Sequence, residues 1–209
     1  MAVYTHLTAG EIARFLARFD VGALRSAKGI AEGVSNSNWL IETERDGAAR
    51  RFILTVFEAR TEAADLPFFL SLLDHLAGKG QPVPRTIHTR DDTNMTLVRG
   101  KPAALIEFLP GVSIDDPDEE QAHAVGVALA DLHLATRDFA QTRRTSLGIP
   151  TCVGMVRDHA ERLGEVDPAL PDILRDCGAS LLESWPEGLP DGTIHADLFP
   201  DNVLFVGEQ

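Results

Sequence analysis

The chain has 209 residues, 44% of them hydrophobic and 24% charged, with a formal net charge of −13. This length allows one domain, or two small lobes sharing a cleft, and buries roughly 70% of the unfolded surface. The acidic balance argues against nucleic acid and anionic membrane surfaces as partners, and no apolar run approaches the ~20 residues of a membrane span.

The N-terminus lacks the basic and apolar segments of a signal peptide. Cys152 and Cys177 lie far apart without metal-ligand spacing and read as two unpaired thiols of a cytoplasmic protein. Thr8 with Glu11 forms a capping-box pattern. Ile12, Phe15, Leu16 and Phe19 follow at helical spacing, which predicts a helix from Ala9 to Phe19. Strands are expected over Leu24–Ile30, Asn38–Glu44 and Arg51–Glu58, the last two joined by a turn at Asp46-Gly47.

Asp65 suits the cap of a second helix, with Pro67 in its first turn and Phe69, Leu72, Leu73 and Leu76 on one face. Gly78, Gly80, Pro82 and Pro84 end it. Two more strands, Thr96–Val98 and Pro102–Phe108, flank a turn at Gly100. Leu109-Pro110-Gly111 then breaks the pattern and composition turns helical. Asp116-Pro117 with Glu119 and Glu120 is expected to start a helix with Val125, Leu129, Leu132 and Thr136 as its buried stripe. Residues 138–152 read as loop, 153–164 and 171–185 as helices, and Thr193-Ile194 as a short strand. This is an α+β pattern of two lobes, residues 1–109 and 110–209.

The most informative stretch is His195-Ala196-Asp197-Leu198-Phe199-Pro200-Asp201-Asn202, followed by the apolar run Val203–Val206. A carboxylate such as Asp197 can accept the proton of an attacking hydroxyl. An amide oxygen such as that of Asn202 can ligate a Mg²⁺ that neutralises phosphate charge. The plain alternative is an acid capping a turn and an asparagine at a helix end. The whole string favours phosphoryl transfer, with His195 holding the loop and Asp201 solvated. Gly29 to Trp39 is rich in glycine and small polar residues between two strands. Backbone N–H groups there can approach phosphate oxygens, which makes Gly33, Ser35 and Asn36 candidate nucleotide contacts. His133, on an apolar helix stripe, reads as a satisfied core residue.

The 195–202 string resembles the catalytic loop of the protein-kinase-like small-molecule phosphotransferases, the group holding aminoglycoside, choline and homoserine kinases. Within it, the strings 32–39, 52–58, 65–70, 100–105 and 195–199 are most similar to the bacterial homoserine kinases of kinase-like type. The resemblance implies a two-lobed protein-kinase-like fold, with an antiparallel sheet in the nucleotide lobe and a partial helical lobe carrying the catalytic loop. It implies transfer of the ATP γ-phosphoryl group to the hydroxyl of L-homoserine with Mg²⁺, in threonine biosynthesis. Residues 104–111 match the inter-lobe hinge of this group, where backbone groups at Glu107 and Leu109 would pair with adenine. A choline- or aminoglycoside-type acceptor and an inactive fragment are the alternatives; oligomeric state is not readable.

Two departures qualify the resemblance. The group presents a strand lysine to the α/β-phosphates, and Thr55 stands at that place, so Arg60, Lys28, metal or backbone must serve instead. The group also carries a metal-binding Asp on the strand after the catalytic loop, and none follows Val203–Val206. The chain therefore reads as a truncated version of a longer enzyme, with Val203–Val206 expected as an unpaired strand edge.

Overall fold

The structure, a computed structural model, describes residues 4–30, 36–58, 62–143, 145 and 147–207. It divides into two compact units: Met1–Thr142 with Gly192–Gln209, and Arg143–Asp191.

The first unit opens with α1 (Ala9–Leu16). Its capping box is closed: Glu11 N–H donates to Thr8 Oγ1 at 3.3 Å and Thr8 N–H donates to the Glu11 carboxylate at 2.8 Å. These bonds satisfy N-terminal donors that the helix leaves without partners. Ile12, Phe15 and Leu16 are buried. The expected continuation to Phe19 fails, because Phe19 leaves the helix to form an isolated antiparallel bridge with Thr89.

The chain then builds a six-stranded antiparallel sheet from β1 (Ala23–Ile30), β2 (Asn36–Arg45), β3 (Ala48–Phe57), β4 (Thr86–Ile87), β5 (Thr96–Val98) and β6 (Lys101–Glu107). The order is β1-β2-β3-β6-β4, with β5 on β6. The β2–β3 turn has positive φ at both Asp46 (53°) and Gly47 (79°), the geometry that matches strand twist in a two-residue hairpin loop. Side chains alternate across the sheet. Ile41, Phe52, Leu54, Val56, Ala103 and Leu105 join the α1 residues in one core, each large side chain contributing about 1.5–3 kcal/mol on burial. Asn38, Leu40, Ile53, Thr55, Ala104 and Ile106 occupy the opposite face.

Helix α2 (Leu66–Gly78) follows a 3₁₀ turn at Ala63–Asp65. Its buried residues are Leu66, Leu70, Leu76 and Ala77; of the expected stripe Leu76 is buried, Leu72 and Leu73 are half-buried and Phe69 is 39% exposed. The helix is apolar nearly all round, and packing rather than periodicity selects the buried face. Helix α3 (Glu119–Ala135) starts two residues after the expected Asp116-Pro117. Asp118 is the cap because its extended backbone lets its carboxylate accept from Gln121 N–H at 2.8 Å. Val125, Leu129 and Leu132 are only half-buried, and burial is complete only at Ala135 and Thr136.

The second unit holds α4 (Ile149–Asp158), α5 (Ala160–Val166) and α6 (Leu170–Ser184), with α4 and α5 packed on α6. The single helix expected over 153–164 is two, because His159 leaves helical geometry at φ −116°. Cys152 and Cys177 are exposed free thiols. Among the described residues, no helix is long and apolar enough to cross a membrane.

Two expected strands do not form. Thr193-Ile194 has no sheet partner, and within Val203–Val206 only Phe205 pairs, in an isolated bridge to Val112. A strand needs a neighbour to take its N–H and C=O groups; here the post-hinge segment supplies one residue of pairing and no ladder.

Candidate active site

The 195–202 loop is held by the C-terminal end of α3. Thr136, buried there, donates its hydroxyl to the carbonyls of His133 (2.9 Å) and Thr193 (3.3 Å). The His195 N–H donates to His133 Nε2 at 3.3 Å. His133 is half-buried and grips the loop, so it is not the core residue expected from its apolar stripe. His195 acts as expected, its Nδ1 accepting the Asp197 N–H at 3.4 Å. Between them Ala196 has φ 61°, a left-handed conformation costly to a residue with a Cβ. That turn reverses the chain within one residue.

Past the turn, the Asp197 carbonyl accepts twice, from Phe199 N–H at 3.1 Å and from Asn202 Nδ2 at 2.8 Å. Pro200–Asn202 forms one turn of 3₁₀ helix, with Val203 N–H on the Pro200 carbonyl at 3.1 Å. The five-residue spacing therefore folds the asparagine back beneath the acid. The Asp197 carboxylate is exposed and has no hydrogen-bond or ion-pair partner among the described residues. Asn202 spends its amide nitrogen on the loop, which leaves Oδ1 without a donor among the described residues. Among the described residues no group of three or more His, Cys, Asp or Glu side chains is placed to hold a metal ion. Exposed carboxylate and amide oxygens suit Mg²⁺, which keeps several waters and takes few protein ligands beside substrate phosphates.

The loop's tail is clamped to the segment after β6. Val112 and Phe205 exchange both backbone hydrogen bonds, at 3.0 and 2.9 Å, and Ser113 Oγ donates to the Val203 carbonyl at 3.2 Å. Gly111 makes this approach possible: at φ 148°, a Cβ there would lie 2.9 Å from Leu204 Cβ and 3.0 Å from the Phe205 carbonyl oxygen.

At the hinge, Glu107 N–H donates to the Arg85 carbonyl at 2.9 Å, but Arg85 N–H goes to the Glu107 carboxylate at 3.3 Å. Arg85 thus leaves the Glu107 carbonyl unused. The Arg51 guanidinium sits 5.8 Å from the Phe108 ring centre. Leu109 N–H has no acceptor among the described residues.

Gly33 and Ser35 lie outside the described residues, as does Arg60. Asn36 opens β2, and its Oδ1 accepts from Glu58 N–H at 3.5 Å. Beside it runs a network with no local sequence signal. Ser37, fully buried, accepts from the Tyr4 and Thr5 N–H groups at 2.9 Å each and donates to Glu58 at 2.7 Å. Lys101 donates to Thr5 Oγ1 at 2.8 Å and forms an ion pair with Glu58. Burial alone would raise the Glu58 carboxyl, but hydrogen bonds from Lys101, Ser37 and Thr5 outweigh it and hold the group below the usual carboxylate range. The network ties β2, β3 and β6 at the end of the sheet nearest the β1–β2 connection. At the place of the missing lysine, Thr55 donates its hydroxyl to Asn38 Oδ1 at 3.0 Å. Lys28 is exposed on edge strand β1, opposite Leu40.

Residues 26–209 match the phosphotransferase enzyme family. The whole chain aligns with a homoserine kinase of Rhizobium johnstonii at 45% identity over 64% of that protein. It aligns with one of Rhodopseudomonas palustris at 48% identity over 63% of its length. The chain thus spans less than two thirds of these relatives. In fold it is similar to a spectinomycin phosphotransferase solved with ADP and spectinomycin (TM-score 0.69, 14% identity, covering 98% of this chain and 67% of that one). A choline kinase of Cryptosporidium parvum is similar over 84% of this chain and 50% of its own (TM-score 0.54, 14% identity). The fold is that of the protein-kinase-like small-molecule phosphotransferases, as expected.

Proposed function

The chain belongs to the phosphotransferase enzyme family, and from that premise we propose that this protein transfers the γ-phosphoryl group of ATP to the side-chain hydroxyl of L-homoserine, giving O-phospho-L-homoserine and ADP. The observation that carries the chemistry is the loop in which Asn202 folds back onto the Asp197 carbonyl while the Asp197 carboxylate stays exposed. The choice of acceptor rests on identity to homoserine kinases along the whole chain.

Residues 1–109 form the nucleotide lobe and residues 110–209 the helical part carrying the catalytic loop. The Glu107 carbonyl and the Leu109 N–H pair with the adenine edge, and Gly33, Ser35 and Asn36 line the phosphates. Asp197 orients the acceptor hydroxyl and takes its proton as the oxygen bonds the γ-phosphorus and the bond to the ADP oxygen breaks. Asn202 Oδ1 holds Mg²⁺, which when bound neutralises charge on the phosphates. His195, His133 and Thr136 keep the loop in place. ATP and a free amino acid place the reaction in the cytoplasm.

The test is Mg²⁺-dependent ADP release from ATP, with and without L-homoserine, on this chain and on Asp197→Asn. Homoserine-dependent release lost in the variant is the expected result. Release stimulated instead by choline or an aminoglycoside overturns the acceptor, and homoserine-stimulated release retained by Asp197→Asn overturns the assignment of the base.

A further inference from the structure

We infer that the Asn38 carboxamide, oriented by Thr55, contacts the phosphate oxygens of the bound nucleotide from the sheet face turned away from α1. The inference rests on the nucleotide reading of the site given above.

Register defines two adjacent rows on this face. One runs Lys28, Leu40, Ile53, Ile106; the next runs Ile30, Asn38, Thr55, Ala104. In these two rows the polar side chains are Lys28 at one sheet edge, Asn38 and Thr55 in the middle and Thr86 beyond Ile106, while the next row along carries Ser26, Glu42 and Arg51. An apolar floor suits a flat base. Thr55 is buried and Asn38 half-buried, and a polar pair among apolar neighbours needs a reason, because polar groups are costly to bury unless satisfied.

Thr55, 8% exposed, has Asn38 as its one side-chain partner among the described residues: its hydroxyl donates to Asn38 Oδ1 at 3.0 Å. That bond commits the amide oxygen and leaves the two N–H bonds of Nδ2 presented. Among the described residues they have no acceptor, yet the nitrogen is not one of the atoms sealed from solvent. The pair is thus a donor without an acceptor, the complement of an anionic oxygen.

Position selects the phosphates rather than the base. Glu107, at the hinge, stands opposite Phe52. Thr55 lies three residues further along β3, about 10 Å at strand rise, which is the span of a nucleoside. Asn38 is also two residues from Asn36, where β2 emerges from the β1–β2 connection. A base anchored at the hinge therefore delivers its phosphates to this row. A neutral amide there does the work of a cation by a hydrogen bond to a charged group, which is among the stronger kinds.

The experiment is calorimetric titration of the chain with adenosine, ADP and ATP, for wild type, Asn38→Ala, Thr55→Val and Thr55→Ser. Asn38→Ala is expected to weaken ADP and ATP by about 10- to 100-fold and to leave adenosine unchanged. Thr55→Val, which frees the amide to rotate, is expected to weaken ADP by several-fold, and Thr55→Ser to restore it. Adenosine binding serves as the internal check that each variant is folded. Equal losses for adenosine and ADP, or ADP affinity untouched in Asn38→Ala, overturn the inference alone. A wild-type chain that binds neither adenosine nor ADP overturns the nucleotide reading, and this inference with it.

Discussion

The side-chain amide of Asn202 donates to the backbone carbonyl of Asp197 at 2.8 Å, so one residue shapes the loop and, under the proposed function, would offer an oxygen to metal. Asn202→Ala removes both roles. The Mg²⁺ concentration for half-maximal ADP release is expected to rise about 10- to 100-fold. An unchanged Mg²⁺ titration would remove Asn202 from the metal site. Asp197→Asn leaves the backbone carbonyl in place and takes away the base, so turnover falls by about 10²–10⁴-fold with the Mg²⁺ midpoint retained.

Gly111 permits the approach of the post-hinge segment to the loop's tail. In Gly111→Ala the new Cβ meets Leu204 Cβ at 2.9 Å and the Phe205 carbonyl oxygen at 3.0 Å, at φ 148°. One contact is backbone and the other a Cβ fixed to its own backbone, so the strain cannot relax through a flexible side-chain end. A loss of about 1–3 kcal/mol in urea unfolding is expected. A midpoint equal to wild type would mean the clamp between residues 111–113 and 203–205 contributes little.

Thr136 and His133 hold the 195–202 loop, so any effect of theirs on the proposed reaction runs through it. Thr136→Val strands the Thr193 carbonyl and costs about 1 kcal/mol of stability. His133→Ala removes the acceptor of the His195 N–H and is expected to lower kcat while leaving the KM for ATP near wild type. His133→Gln, which keeps an acceptor, should recover part of the rate. A fall in stability without a change in kcat would reduce His133 to a structural residue.

Glu11 gives α1 a pH dependence. The Arg99 guanidinium, the Thr8 N–H and the Thr8 hydroxyl hold its carboxyl at about 2, below its ordinary 4.5. The folded value is depressed, so the stabilisation is complete above 4.5 and is lost as pH falls from 4.5 towards 2. Glu11→Gln is expected to narrow its stability gap from wild type across that window. A gap constant with pH would contradict the ion pair with Arg99.

The register of the central hairpin was readable because Asp46-Gly47 is a turn that few other dipeptides can make, and alternation then assigns every side chain a face. The 195–202 stretch stood out in the sequence by its residue string, but its shape did not: only the structure shows that five residues carry the chain through one reversal and one 3₁₀ turn. The buried face of α2 was not readable, since a helix apolar nearly all round offers several faces and only the sheet it meets chooses among them.

What the sequence alone determined is short-range: the capping box at Thr8 and Glu11 and the hairpin at Asp46-Gly47, each decided by the backbone preferences of a few consecutive residues. Tertiary structure decided what depends on distant partners. Lys101 reaches Thr5 across 96 positions, and Ser113 reaches Val203 across 90. The Asn38–Thr55 pair required a register before its unused donor was visible. Such contacts carry no local signal, because their residues share neither a turn nor a helical face. They become neighbours only in the folded chain, which brings Lys101 of β6 to the N-terminal segment and Ser113 to the tail of the 195–202 loop.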